Sequence, residues 1–212
     1  MTTEKGNPLW LGWMSNWRYA RLTPTVDWRG AMTIPRELAL ETRSGKVTLV
    51  QRPARELGRF GAQVVSLKEV TLDEAQESLS GLNLDSYVIR AEFDAKESLA
   101  FKVRTSADQE TVVGYDSGLK ELYVDRTKSG QVEFHEDFAG RHTAAVAEPT
   151  DGRLDLIVYV DRSSVEVFAS GGQAVITDLI FPEPNAKGLG LLAEKDDFKL
   201  HSLVIDALTS EV

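Results

Sequence analysis

From about Val47 to the end of the chain, hydrophobic and polar residues alternate in short runs with short polar breaks between them. In a run such as Arg153–Asp161, residues Leu154, Leu156, Val158 and Val160 share one face of a strand, and the residues between them share the other. Many such strands, with little helical pattern between them, are typical of a sandwich or a barrel. We predict an antiparallel β-sandwich of two sheets. The runs are YVIRAEFDA, LAFKVRT, ETVVGYD, KELYVDR, RLDLIVYVD, SSVEVFAS, QAVITDLIF, GLGLLAE and FKLHSLVIDAL.

Two stretches interrupt the alternation. Residues 51–60 place Pro53 where a helix could start, with Glu56 behind it, which predicts a short helical turn or a linker. Residues 72–82, LDEAQESLSGL, have a helix-compatible composition but lie between predicted strands. For them we predict a loop that contains one helical turn at most.

The composition is that of an ordinary globular chain. It has 212 residues and no cysteine, so disulfides and thiolate metal sites are excluded. Residues 1–8 contain no apolar run, and no later stretch approaches the roughly 20 apolar residues of a membrane span, so neither a signal peptide nor a membrane segment is expected. The formal net charge of −9 disfavours nucleic acid as a partner, whereas a neutral sugar meets no such penalty.

Metal and cofactor sites have little support in the sequence. The three histidines, His135, His142 and His201, are far apart and lack ligand spacing, so we interpret them as solvent-exposed or loop residues. Neither a Gly-Xaa-Ser-Xaa-Gly elbow nor a phosphate-binding glycine loop occurs. No metal and no cofactor is predicted.

A carboxylate pair is the remaining catalytic possibility. Asp161 and Glu166 flank a predicted turn and could face each other across a hairpin. Acidic residues commonly occupy exposed turns and strand faces, so two solvent-exposed turn residues are favoured over a catalytic pair. No catalytic residue is assigned.

The region of residues 11–38 holds three of the four tryptophans. If it is a strand, Trp13, Ser15 and Trp17 share one face and Trp10 lies on the other. A tryptophan offers a flat apolar surface and one N–H group, which suits a sugar ring, and Asn16 could donate and accept hydrogen bonds with hydroxyls. The alternative is that these tryptophans fill a core, which composition alone favours.

Three long stretches, LWLGWMSNWRYA, TPTVDWRGAMTIPRELAL and VDRSSVEVFASGGQAVITDLIFP, resemble the C-terminal half of glycoside hydrolase family 32, in particular levanases and exo-inulinases. In that family a five-bladed β-propeller carries catalysis and a β-sandwich follows it. The resemblance implies that residues 1–60 are a remnant of the last propeller blade plus a linker. It also implies that residues 61–212 are the C-terminal sandwich, which has a lectin-like architecture.

The resemblance also implies a chemistry, the retaining hydrolysis of β-fructosides. Members use an aspartate nucleophile, a glutamate acid/base and a stabilising aspartate, and a retaining mechanism needs two carboxyl groups about 5–5.5 Å apart. The Asn-Asp-Pro, Arg-Asp-Pro and Glu-Cys motifs that carry them do not occur here. What carries over is the aromatic border of the fructose pocket, namely Trp13, Asn16 and Trp17.

We therefore expect the C-terminal portion of a fructan-hydrolysing glycosidase that is inactive alone and has a structural, stabilising role. A fructan-binding carbohydrate module is the alternative. The expected partners are a fructan or sucrose-type carbohydrate and either the missing N-terminal propeller or a second copy of the chain, because exposed strand edges invite pairing. The family resemblance suggests an extracellular location, which the sequence itself does not fix.

Overall fold

The computed structural model describes residues 2–3, 6–43, 45–195 and 197–208. It contains one α-helix, α1 (Leu72–Leu79), one 3-10 helix (Arg55–Arg59) and sixteen β-strands within this part of the chain. The strands are β1 (Leu9–Trp10), β2 (Trp13–Met14), β3 (Ala31–Met32), β4 (Arg36–Arg43), β5 (Lys46–Pro53), β6 (Gly61–Thr71), β7 (Tyr87–Asp94), β8 (Leu99–Thr105), β9 (Glu110–Asp116), β10 (Glu121–Lys128), β11 (Arg141–Ala145), β12 (Arg153–Val160), β13 (Ser164–Ala169), β14 (Ala174–Leu179), β15 (Gly188–Ala193) and β16 (Lys199–Leu208).

Strands β6 to β16 form two facing antiparallel sheets, which we call the sandwich. One sheet has the order β14-β13-β12-β7-β16-β6 and the other has the order β11-β10-β9-β8-β15. The inward-pointing side chains of both sheets form one core, in which Leu154, Leu156, Val158 and Val160 are fully buried, as their alternation predicts. The predicted antiparallel sandwich is confirmed.

The described residues up to Pro53, which we call the N-terminal segment, form two smaller sheets. One has the order β1-β4-β5, in which β4 and β5 make a regular hairpin from Arg36↔Pro53 to Arg43↔Lys46. The other is a two-residue ladder of β2 with β3. Many large apolar side chains of this segment face solvent: Trp10, Leu11, Trp13, Trp17, Leu22, Val26, Trp28, Met32, Leu40, Val47 and Leu49.

The N-terminal segment lies against the outer face of the six-stranded sheet. Val88, Tyr159 and Phe168, which alternation alone would expose, are buried there, and the partly buried Ile34 and Leu57 pack against them. The backbone closes the contact at a second point, where Gln51 N donates to Gly172 O at 2.8 Å. Gly172 has φ +84°, and a Cβ there would lie 2.1 Å from Gln51 O, so this approach requires glycine.

The interpretation of residues 72–82 as a loop was wrong, because α1 spans eight of them. Its start is a capping box, in which Glu74 N donates to Thr71 Oγ1 and Thr71 N donates to Glu74 Oε2 at 2.9 Å. Ala75 and Leu79 are buried, which anchors the helix on the core. The helical turn expected near Pro53 is present as the 3-10 helix. Within the described ranges, no helix is long and apolar enough to cross a membrane.

Candidate functional site

Trp13 and Trp17 form an exposed pair, which we call the aromatic wall. Their ring centroids are 5.0 Å apart and the rings are tilted by 53°, with 43% of Trp13 and 88% of Trp17 exposed. The argument that placed both on one strand face was wrong, since β2 ends at Met14 and Trp17 begins a turn. The rings are in contact because the turn folds Trp17 back onto Trp13, not because the two residues share a strand face.

Asn16 builds this turn. Its side-chain oxygen accepts from Arg18 N at 3.0 Å, and its backbone oxygen accepts from Tyr19 N at 3.1 Å and Ala20 N at 2.8 Å. Asn16 is exposed beside the wall, but its side-chain oxygen is already engaged. The hydroxyl of Ser15 does not join the exposed rings, because it is buried, without a hydrogen-bond partner among the described residues.

The underside of the same stretch is core. Met14 and Tyr19 are buried against Phe138, Leu179 and Phe181 of the sandwich. Core packing in this region is therefore provided by Met14 and Tyr19, whereas Trp13 and Trp17 remain exposed.

Gly30 fixes how closely the chain can approach Trp13. It has φ +75°, and a Cβ there would lie 2.5 Å from Trp13 Nε1. Backbone conformation and space both call for glycine at this position. The orientation of the wall thus depends on the segment that precedes β3.

A buried ion pair joins the N-terminal segment to the sandwich beneath the wall. Glu166 of β13, only 2% exposed, accepts from Arg36 Nη2 at 2.5 Å and from Ile34 N at 2.7 Å. Burial raises the pKa of the Glu166 carboxyl, and the Arg36 side chain opposes that rise. The prediction that Glu166 is a solvent-exposed turn residue was therefore wrong. Asp161 is exposed and accepts from Ser86 Oγ at 2.5 Å.

A second buried cluster centres on Arg126. Its guanidinium lies 4.0 Å from the ring centroid of Phe138, pairs with Asp178 at 3.2 Å and donates to the hydroxyl of Tyr19 at 3.3 Å. His142 joins through Nδ1, which lies 2.8 Å from Asp178 Oδ1. Tyr19, two residues beyond the wall, is thereby tied to the sandwich.

His142 is solvent-exposed, as predicted, although it lies on β11 and binds a carboxylate, whereas His201 differs from the prediction because it is half-buried on β16 and contacts two carboxylates. His201 Nε2 is 3.0 Å from Asp94 Oδ1, and its Nδ1 is 3.3 Å from Glu69 Oε1. The bond to Asp94, reinforced by Glu69, raises the pKa of His201. The part of the chain that the structure describes contains no group of three or more His, Asp or Glu side chains placed to hold a metal ion.

Two family models match the chain. The model for the glycosyl hydrolases family 32 C terminal matches residues 59–207, and the model for the glycosyl hydrolases family 32 N-terminal domain matches residues 1–53. A levanase of Bacillus subtilis (strain 168) is 44% identical over 206 residues, covering 94% of this chain and 30% of the levanase. The chain spans about a third or less of the length of curated relatives that it matches, from 14% to 34% of each.

Solved structures agree with these matches. The crystal structure of exo-inulinase from Aspergillus awamori superposes with a TM-score of 0.79 at 30% identity, covering 96% of this chain and 41% of that one. A fructofuranosidase from Schwanniomyces occidentalis complexed with fructosylnystose gives a TM-score of 0.75 at 22% identity, covering 96% of this chain and 45% of that one. The second likeness supports the fold alone.

Proposed function

The chain belongs to glycoside hydrolase family 32, and from this membership we propose that it forms the C-terminal part of a fructan-hydrolysing glycosidase, with a structural role and no hydrolytic activity alone. Residues 1–60 would contribute the last propeller blade and a linker, and residues 61–212 the stabilising sandwich. The observation that carries the proposal is the exposed aromatic wall, Trp13 and Trp17, held in place by buried contacts with the sandwich.

The wall suits one side of a sugar site. Two large rings that remain exposed in a chain with a well-filled core offer stacking surface for the apolar faces of a sugar. Asn16 beside them has an amide group of the kind that bonds sugar hydroxyls. We therefore propose Trp13, Asn16 and Trp17 as one border of a fructose-binding pocket.

The buried acids of this chain suit structure better than catalysis. Among the described residues, the buried carboxylates are Glu166 and Asp178, and each is bound to its own arginine. Retaining hydrolysis needs two carboxyl groups about 5–5.5 Å apart on either side of an open sugar site. In this proposal the reacting carboxylates belong to other propeller blades.

The exposed apolar residues of the N-terminal segment suit a neighbouring blade. Leu40, Val47 and Leu49 lie on the β4–β5 hairpin with half or more of their surface exposed. Exposed apolar surface of this extent is typical of an interface. We propose that other blades of the propeller cover it, and that in their absence a second copy of the chain does so.

The first test measures activity and binding with the purified chain. We expect no fructose release from levan, inulin or sucrose, and weak binding of short fructans by calorimetry. Trp13→Ala should weaken that binding about tenfold, the loss of one stacking contact. Phe60→Ala, which removes another exposed aromatic ring, is the control and should bind normally.

Two results would contradict the proposal in different ways. Turnover that disappears when an acid of this chain is replaced would show a complete active site. Fructan binding that survives Trp13→Ala unchanged would favour the alternative, a carbohydrate-binding module with its site on the sandwich.

A further inference from the structure

We propose that Glu166 of the sandwich is a positioning residue for the aromatic wall: its carboxylate fixes the start of β4 and the end of β3, and β3 in turn fixes the strand that carries Trp13. That this positioning matters for sugar binding rests on the proposed function, whereas the contacts of Glu166 are independent of that function.

Glu166 uses its two oxygens for two different purposes. Oε2 accepts from Arg36 Nη2 at 2.5 Å, which neutralises a buried guanidinium. Oε1 accepts from Ile34 N at 2.7 Å, and this bond to an uncharged amide adds nothing to charge balance. The second bond holds the backbone, so neutralising Arg36 does not fully account for a carboxylate at this position.

A continuous set of hydrogen bonds and strand pairings leads from Ile34 to the wall. Thr33 N donates to Gly12 O at 2.9 Å, and Gly12 N donates to Thr33 Oγ1 at 2.9 Å. Next along the same ladder Trp13 pairs with Met32. Met14 also packs on the sandwich, but β2 is two residues long and pairs with β3 alone among the described strands, so the backbone hydrogen bonds that orient Trp13 come from residues 31–34.

Arg36 is secured by other residues of its surroundings as well. It donates to Gln51 Oε1 at 3.0 Å and to the Thr177 hydroxyl, and its guanidinium lies 5.0 Å from the ring centroid of Phe168. Loss of the Glu166 charge would therefore leave Arg36 partly held, while Ile34 N would lose its acceptor. The effect of that loss should be strongest at β3 and β2.

Glutamine cannot replace Glu166 in this arrangement. A carboxamide has one acceptor oxygen and one donor NH₂ group. Because a hydrogen bond from the charged Arg36 guanidinium is stronger than one from the uncharged Ile34 amide, the single oxygen should face Arg36, and Ile34 N would then face a donor, although the side chain keeps its size. Glu166→Gln thus removes one bond without creating a cavity.

The experiment compares Glu166→Gln with Glu183→Gln in the 212-residue chain, the second change removing a charge from an exposed position. Two tryptophan rings 5.0 Å apart give an exciton couplet in the circular dichroism spectrum, and this couplet is specific to the wall. In Glu166→Gln this couplet should lose most of its amplitude. The amides of Gly12, Thr33 and Ile34 should exchange about tenfold faster, with those of β8 and β9 unchanged.

An unchanged couplet in a folded Glu166→Gln protein would overturn the proposal, as would faster exchange spread evenly over the sandwich. If Glu166→Gln does not fold, Thr33→Val tests the same path, since it deletes the Gly12 N to Thr33 Oγ1 bond and leaves the ion pair intact. A full couplet in Thr33→Val would then contradict the proposed path.

Neither readout involves sugar, which separates this proposal from the proposed function. A chain that binds no fructan but loses its couplet in Glu166→Gln contradicts the function and supports the positioning role. If fructan binding depends on Trp13 but the couplet is unaffected by Glu166→Gln, the result supports the function and contradicts the positioning role.

Discussion

The sandwich and the N-terminal segment are stabilised in different ways. In the sandwich, two sheets bury a continuous apolar core. In the N-terminal segment many of the large apolar side chains face solvent, and the segment is held to the sandwich by two small apolar clusters together with hydrogen bonds and a buried ion pair. The comparison teaches that one chain can contain a region with its own core and another whose shape depends on its contacts with that region.

Arginines supply three of the polar contacts between the two regions. Arg36 meets Glu166, Arg126 meets the Tyr19 hydroxyl, and Arg43 Nη1 donates to Ser170 O at 2.7 Å. A buried ion pair gains little net stability, because desolvation offsets its Coulomb attraction. It is nevertheless directional, so these contacts define where the segment sits more than how strongly it is held.

The largest expected effect is the difference in stability loss between two leucine-to-alanine substitutions, one in each region. Leu154→Ala removes a fully buried side chain from the core and should lower the free energy of unfolding by about 2–5 kcal/mol. Leu40→Ala, at a position 72% exposed, should change it by less than about 0.5 kcal/mol. Urea denaturation of both variants measures the difference, and equal losses would show that the N-terminal segment has a core of its own.

A smaller effect is expected from alanine at two glycines with the same backbone conformation. Gly30 and Gly152 both have φ +75°, but a Cβ meets Trp13 in the first case and open space in the second. Each change should cost about 1 kcal/mol of stability through its positive φ. Gly30→Ala should also displace Trp13 and reduce the tryptophan couplet, whereas a couplet reduced equally in Gly152→Ala would contradict the assigned contact.

The smallest expected effect is a pH dependence of the free energy of unfolding, which arises from His201 in the sandwich. The pKa of His201 is raised above 6.5 by Asp94 and Glu69, so the folded state binds the proton more tightly than the unfolded chain. The resulting stabilisation is complete below pH 6.5 and is lost as pH rises through the folded-state pKa. It should be worth about 1 kcal/mol or less, the usual value for a pair near the surface.

Urea midpoints on both sides of that pKa test this prediction. His201→Gln should remove the dependence and leave the tryptophan couplet unaltered at each pH. A dependence that persists in His201→Gln would assign it to another group.

Nine of the eleven sandwich strands could be predicted from the sequence, because they contribute alternating buried residues to a single core. Strands β6 and β11 were not predicted, since only Val65 of β6 is buried and no residue of β11 is. The α1 helix could also have been predicted, since Thr71 and Glu74 have the spacing of a capping box. Composition and neighbouring strands alone do not predict it, because only two of its residues, Ala75 and Leu79, are buried on the core.

The candidate site was less predictable. The pairing of Glu166 with Arg36 joins positions 130 residues apart, and alternation along β13 places Glu166 on the outer face without showing what covers it. The strand prediction for Trp17 fails for a different reason, because local hydrogen bonds to Asn16 form a turn where alternation alone indicates a strand. A single sequence thus lacks the distant contact of Glu166, whereas the turn at Asn16 is a local feature that competes with the strand pattern.

The connection between the two regions is short. Residues 54–60, which include the 3-10 helix, are all that separates β5 from β6. A tether of this length keeps its two ends at an effective concentration in the millimolar range or above. Even a small interface of apolar clusters and polar contacts can therefore hold the N-terminal segment in place, and cutting the tether would make this contact dependent on concentration.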